Sequence, residues 1–136
     1  MMPRQSEFEG KPKPWPQILE AAAGGRIRLV RSPAHDFENE QNPREDRRLA
    51  TLLWLETAGI RVSVTPGAAE RAREIAALGF APLDALHLAF AEKADARWFV
   101  TTDDRLAKRA SSHSNRLVVE VRKPDELSVD FLGDAE

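Results

Sequence analysis

The chain has 136 residues, 42% hydrophobic and 31% charged, which suits one globular domain able to bury a single core. Lys and Arg number 20 against 22 Asp and Glu, and the net charge of −2 excludes a protein that binds nucleic acid by bulk electrostatics. It does not exclude an enzyme gripping a short RNA through a few local cations. With no cysteine there is no disulfide, thiolate metal site or cysteine nucleophile, in keeping with a reducing cytoplasm.

Residues 1–16 carry Pro, Lys, Glu and Gln without an apolar stretch, and read as a polar leader, not a signal peptide, ahead of a single domain over 17–136. No run of about 18 apolar residues occurs, the length a membrane-spanning helix needs. Gln17 to Ala23 reads as a short helix closed by Gly24 and Gly25, and Ile27 to Val30 as a short strand. Ser32-Pro33 supplies an N-cap and first helical position for a helix holding Asp36, Glu38 and Glu40. Asn42-Pro43-Arg44-Glu45 is a second start signal, followed by Leu49, Leu52 and Leu53 at helical spacing.

Ile60 to Val64 alternates like a half-buried strand. Thr65-Pro66 opens a helix with Ala68, Ala72, Ile75 and Ala76 on one face and Gly79 past its end. Pro82 begins the most apolar helix, Leu83 to Glu92. Then come a strand at Trp98 to Thr101, a helix at Asp103 to Ala110, a strand at Leu117 to Val121, and a terminal helix from Pro124 through Phe131. This alternation predicts an α/β layer around a mostly parallel sheet.

Three acids follow a strand or open a helix: Glu38, Asp84 and Asp103. In open parallel sheets ligands sit beyond the carboxyl ends of the strands. Clustered carboxylates suit hard divalent cations such as Mg²⁺ and Mn²⁺. Plainer roles stand beside that one. Asp84 could serve the helix macrodipole, Asp103 could cap the helix holding Leu106 and Ala110, and Glu38 could belong to a solvated acidic face. His87, on the same face as Asp84, reads as a packed, hydrogen-bonded histidine. Thr102-Asp103-Asp104 does not make an aspartyl phosphatase, which needs an early Asp-x-Asp after a strand.

Leu83-Asp84-Ala85-Leu86-His87-Leu88-Ala89, the polar link Lys93 to Arg97, and Phe99-Val100-Thr101-Thr102-Asp103-Asp104-Arg105-Leu106 together resemble the PIN domain pattern. Upstream, Leu29 to Pro33, Asp36-Phe37-Glu38 and Asn42-Pro43 are similar to that family's second strand and glutamate helix. The resemblance spans about Gln17 to Leu127 and implies a three-layer α/β/α fold. It also implies Glu38, Asp84 and Asp103 as catalytic, metal-binding carboxylates with Asp104 as helper, and Thr101 or Thr102 as hydrogen-bond partners of the cluster. The implied activity is a Mg²⁺- or Mn²⁺-dependent endoribonuclease, in many members the toxin of a toxin–antitoxin pair and commonly a homodimer. Arg44, Arg47, Arg48, Arg105 and Lys108 are then candidate phosphate contacts. One departure stands out: the family's opening strand ending in Asp has no match in Met1 to Pro16. Its absence leaves open a truncated start, a leader that fills the gap differently, or a strand supplied by a partner chain, and the alternative function is an inactive PIN-like binding module.

Overall fold

The structure, a computed structural model, describes residues 15–126. Within them, six helices and four short strands alternate along the chain. α1 (Trp15–Ala23) leads into β1 (Val30–Arg31) and α2 (Pro33–Glu40). α3 (Glu45–Glu56), β2 (Ile60–Arg61) and α4 (Pro66–Ala76) follow. α5 (Pro82–Lys93), β3 (Trp98–Val100), α6 (Asp104–Ser112) and β4 (Glu120–Arg122) complete the order. A helical turn at Pro124 to Glu126 meets the end of the described residues; the rest of the expected terminal helix lies outside them.

Helix starts follow the capping chemistry in the sequence. Ser32 and Thr65 hold extended backbone immediately before Pro33 and Pro66, and the Thr65 hydroxyl accepts the Ala68 N–H at 3.2 Å. The second start signal acts later than expected. Asn42 accepts the Arg44 N–H in a local turn, and α3 begins at Glu45 with Arg44 as its N-cap. The first helix starts at Trp15, two residues before the expected Gln17. Residues 1–14, most of the expected leader, lie outside the described part.

Both strand pairs are parallel. Val30 faces Ile60 in one, and Phe99 faces Val121 in the other. Among the described residues they form two separate two-stranded sheets, β1-β2 and β3-β4, and not one central sheet. The strands are shorter than the alternation suggests: the Ile60 to Val64 pattern pairs only at Ile60–Arg61, and the Leu117 to Val121 pattern shifts to Glu120–Arg122.

The main core gathers Ile75, Phe80, Ala85, Leu88, Ala89, Phe99, Leu106 and Val119, joining α4, α5, β3, α6 and the approach to β4. The expected face of α4 is buried through Ala68, Ala72 and Ile75, and Gly79 takes a φ of +109° just beyond the helix end. Ala34, Ala68 and Phe90 form a smaller cluster linking α2, α4 and α5. α5 is therefore the central helix, buried at Ala85 and from His87 through Ala91. α3 departs from its pattern. Leu49 and Leu53 are 54% and 71% exposed, and only Leu55 of that helix is buried.

An ion pair stitches three elements behind the core. Glu92 on α5 accepts from Arg71 Nε at 2.7 Å and Nη2 at 3.1 Å, and from the Val118 N–H at 3.0 Å. Arg71 also donates to the Arg116 carbonyl. The guanidinium thereby ties α4 and α5 to the segment entering β4. That carboxylate holds the Arg71 pKa above its usual value.

Candidate active site

Three segment ends converge on α5. β1 runs through Ser32 into α2, which carries Glu38; α5 opens with Asp84 in its first turn; and β3 ends at Val100, followed by Thr101 two residues before Asp103. The acids of α2 do not act together. At about 100° per residue, Asp36 and Glu40 share one face and Glu38 lies on the opposite one. Asp36 is taken up by Arg31, whose Nε and Nη2 donate to Oδ1 at 2.9 and 2.7 Å. Arg31 Nη1 reaches Glu56 at 2.6 Å. Glu38 turns inward, and its Oε1 lies 3.5 Å from His87 Nε2.

His87 is 2% exposed, and its ring packs against His35 (centroids 4.8 Å apart, 61° between planes) and Phe99 (5.7 Å). Among the described residues neither ring nitrogen has a hydrogen-bond partner within bonding distance. The contact with Glu38 is thus an approach, longer than a normal N–H···O bond of about 2.7–3.2 Å. Its electrostatic effect is still clear: the imidazole holds the Glu38 carboxyl below the usual carboxylate range, against the opposing pull of burial. His35 belongs to the same buried group. Its Nδ1 accepts the Ser32 N–H at 3.1 Å, and burial pushes its pKa down to about 3.

Asp84 shows the opposite response. Burial raises its pKa first, and the carboxylates of Asp103 and then Glu38 raise it further, with His87 pulling the other way. Asp84 therefore senses the charges of both other acids expected from the sequence. Asp103 caps α6 as the plainer reading held, its Oδ1 accepting from the N–H groups of Arg105 and Leu106 at 2.9 and 3.2 Å. Capping and the cluster are compatible, because both bonds fall on one oxygen. Thr101, fully buried, steadies the turn by accepting the Asp103 N–H on Oγ1 at 3.0 Å. Asp104 is exposed and ion-paired with Lys123, and it is not among the charges that shift Asp84.

An all-oxygen set whose members repel one another is suited to a hard cation. The described side chains are not gathered into a ready cage, however: no three acid or histidine groups among them stand close enough to hold an ion. Cavities of about 360 Å³ beside Arg31 and Phe37, and about 740 Å³ between α6 and β4, are not lined by Glu38, Asp84 or Asp103. Of the candidate phosphate contacts, Arg44 pairs with Asp46 and Arg48 donates to the Asn42 carbonyl, whereas Arg105 and Lys108 are exposed on α6.

A family model for the PIN domain matches residues 19–111, more than half of the chain and all three acids. The chain belongs to the PIN domain family. No curated protein and no solved structure matches it. PIN domains are α/β, nuclease-like and generally dependent on divalent metal ions. Among the described residues no helix is long and apolar enough to cross a membrane.

Sequence reasoning missed the partnership of His87 with Glu38 and the role of His35 behind it. The i, i+3 spacing of Asp84 and His87 placed the imidazole on the acid face, but its approach to α2 depends on helix packing. Choosing Glu38 over Asp36 and Glu40 also has a local signal. Two residues along a helix reverse the face, and Arg31 lies close enough in sequence to claim Asp36.

Proposed function

We propose that this PIN domain is a metal-dependent endoribonuclease in which Glu38, Asp84 and Asp103 hold Mg²⁺ or Mn²⁺. The observation that carries the reading is the raised pKa of Asp84, which burial shifts first and the charges of Asp103 and Glu38 shift further, a repulsion that a bound cation would relieve. Such a cation supplies acidity to water and neutralises the charge that builds on the phosphodiester. Asp84 projects from the rigid α5 and Asp103 is fixed by its cap, so both carboxylates are held ready. Glu38, half-exposed and approached by His87, completes the set. Arg105 and Lys108 on α6 are placed to meet the RNA backbone, and Asp104 is a helper at most, given its bond to Lys123.

The same reading takes the domain from residue 17 onward as one three-layer α/β/α unit working in the cytoplasm. A protein partner, an antitoxin or a second copy forming a homodimer, is supported by the exposed leucines of α3. Incubation with single-stranded RNA and Mn²⁺ tests the activity: cleavage that Asp84→Asn abolishes supports it, and intact RNA overturns it. A second reading, a non-catalytic PIN-like binding module, is favoured by the absence of a ready cage among the described residues. It predicts that calorimetry detects no specific divalent binding and that Asp84→Asn leaves every assay unchanged.

A further inference from the structure

A fully buried imidazole with both nitrogens unbonded is an expensive arrangement. An unsatisfied buried polar group is destabilising, and most are eliminated or paired. His87 is such a group. Its ring is fixed on several sides, by its own helix, by the edge-to-face contact with His35 and by Phe99. The His87 nitrogen with a carboxylate in front of it is Nε2, and the carboxylate is Glu38, 3.5 Å away on a side chain that is 42% exposed and so has room to turn.

We infer that His87 is a positioning residue: its Nε2–H donates to Glu38 and selects the rotamer in which that carboxylate faces Asp84 and Asp103. This rests on the ribonuclease reading for its purpose, though the contact itself does not. The asymmetry of the pair supports the direction of control. The imidazole is locked by packing and the glutamate is not, so the glutamate does the moving. A hydrogen in place on Nε2 leaves Nδ1 as an acceptor, the less costly nitrogen to leave unbonded, whereas the opposite tautomer would bury an N–H donor and aim a lone pair at a carboxylate. The side chain one turn earlier on this helix face is Asp84, so one helix both supplies an acid and orients a second acid from α2. A buried donor behind a ligating carboxylate is how outer groups set ligand geometry, and removing one typically weakens metal affinity about 10–100-fold.

The test separates positioning from packing. His87→Leu keeps apolar bulk and removes both nitrogens, while His87→Gln keeps a donor at about the reach of Nε2. Positioning predicts that calorimetric Mn²⁺ affinity falls about 10–100-fold in His87→Leu and returns towards wild type in His87→Gln. The urea midpoint of His87→Leu should be equal or higher, because an unsatisfied polar group has been replaced by an apolar one. In a Glu38→Gln background, His87→Leu should cause no further loss of Mn²⁺ affinity. A histidine that serves packing alone predicts the reverse: a lower midpoint with Mn²⁺ affinity unchanged, and this would overturn the inference.

A metal-free readout distinguishes failure here from failure of the nuclease reading. Long-range ¹H–¹⁵N spectra of the free protein should show the His87 proton on Nε2, with its shift moved by Glu38→Gln. A proton on Nδ1, or one indifferent to Glu38→Gln, overturns the assignment even if the protein cuts RNA. If wild type neither binds Mn²⁺ nor cuts RNA, the nuclease reading fails and the spectrum still decides the His87–Glu38 link.

Discussion

Lowering the pH from 7 to 5 should weaken the fold through His35. Its Nδ1 accepts the Ser32 N–H, a bond that needs the ring lone pair, and burial holds its pKa at about 3 instead of 6.5. The nearby Arg31 charge pushes the same way. A base whose folded pKa lies below its unfolded value binds fewer protons in the folded state. Its contribution to stability is complete above the unfolded pKa and is lost as the pH falls through 6.5 towards 3. Each full pH unit between the two values removes about 1.4 kcal/mol, and the first unit near 6.5 removes less, so the step from pH 7 to pH 5 removes about 2 kcal/mol. That figure requires only that the folded pKa lie below 5. It corresponds to a fall of about 5–10 °C in Tm for a domain of this size. The assay is urea unfolding of wild type and His35→Gln at both pH values. Glutamine can still accept the Ser32 N–H, as in the usual capping box, but does not titrate. The variant should lose about 2 kcal/mol less than wild type over the step. Parallel losses in the two proteins would refute the reasoning.

Asp84 should act with the opposite sign. A carboxyl whose folded pKa is raised contributes its stability below the unfolded pKa and loses it as pH rises through the folded value. Relative to Asp84→Asn, metal-free wild type should therefore lose stability between pH 3 and pH 7. A gain in the same urea titration would contradict the assigned repulsion. Leu88→Ala, at a fully buried position of the main core, should cost about 2–5 kcal/mol in unfolding free energy, and a loss below about 1 kcal/mol would mean that the core is not close-packed there. Glu92→Ala removes the main partner of Arg71, which keeps Glu74 and the Arg116 carbonyl, and should cost about 1–3 kcal/mol, whereas Arg71→Met with Glu92→Leu should recover most of that loss. Equal destabilisation by the single and double variants would show that the carboxylate's bond to the Val118 N–H matters more than the ion pair.

Local chemistry made much of this protein legible without coordinates. Ser32-Pro33, Thr65-Pro66 and Pro82 mark helix starts because a proline at the first helical position loses no needed N–H. The buried faces of α4 and α5 follow from apolar spacing, and Asp84 and Asp103 stand out because one opens a helix and the other ends a strand-to-helix turn. The PIN pattern from Leu83 to Leu106 was legible for the same reason: its spacing is local.

What depends on distant segments was not legible. Leu49, Leu52 and Leu53 of α3 are spaced for burial but face outward, since among the described residues α3 packs on little besides α2 and spacing alone cannot say which side meets a neighbour. Strand lengths came out short because a strand exists only where a partner pairs with it, and β1 and β4 pair over two and three residues. The sequence by itself determined the helix starts at Pro33, Pro66 and Pro82, the order of elements and the candidacy of three carboxylates. Only the tertiary structure decided that Asp36 goes to Arg31, Asp104 to Lys123, and Glu38 to a buried histidine on another helix. Charge and hydrogen-bonding energies fall off within a few ångströms, so which acid finds which partner is settled by how the helices pack.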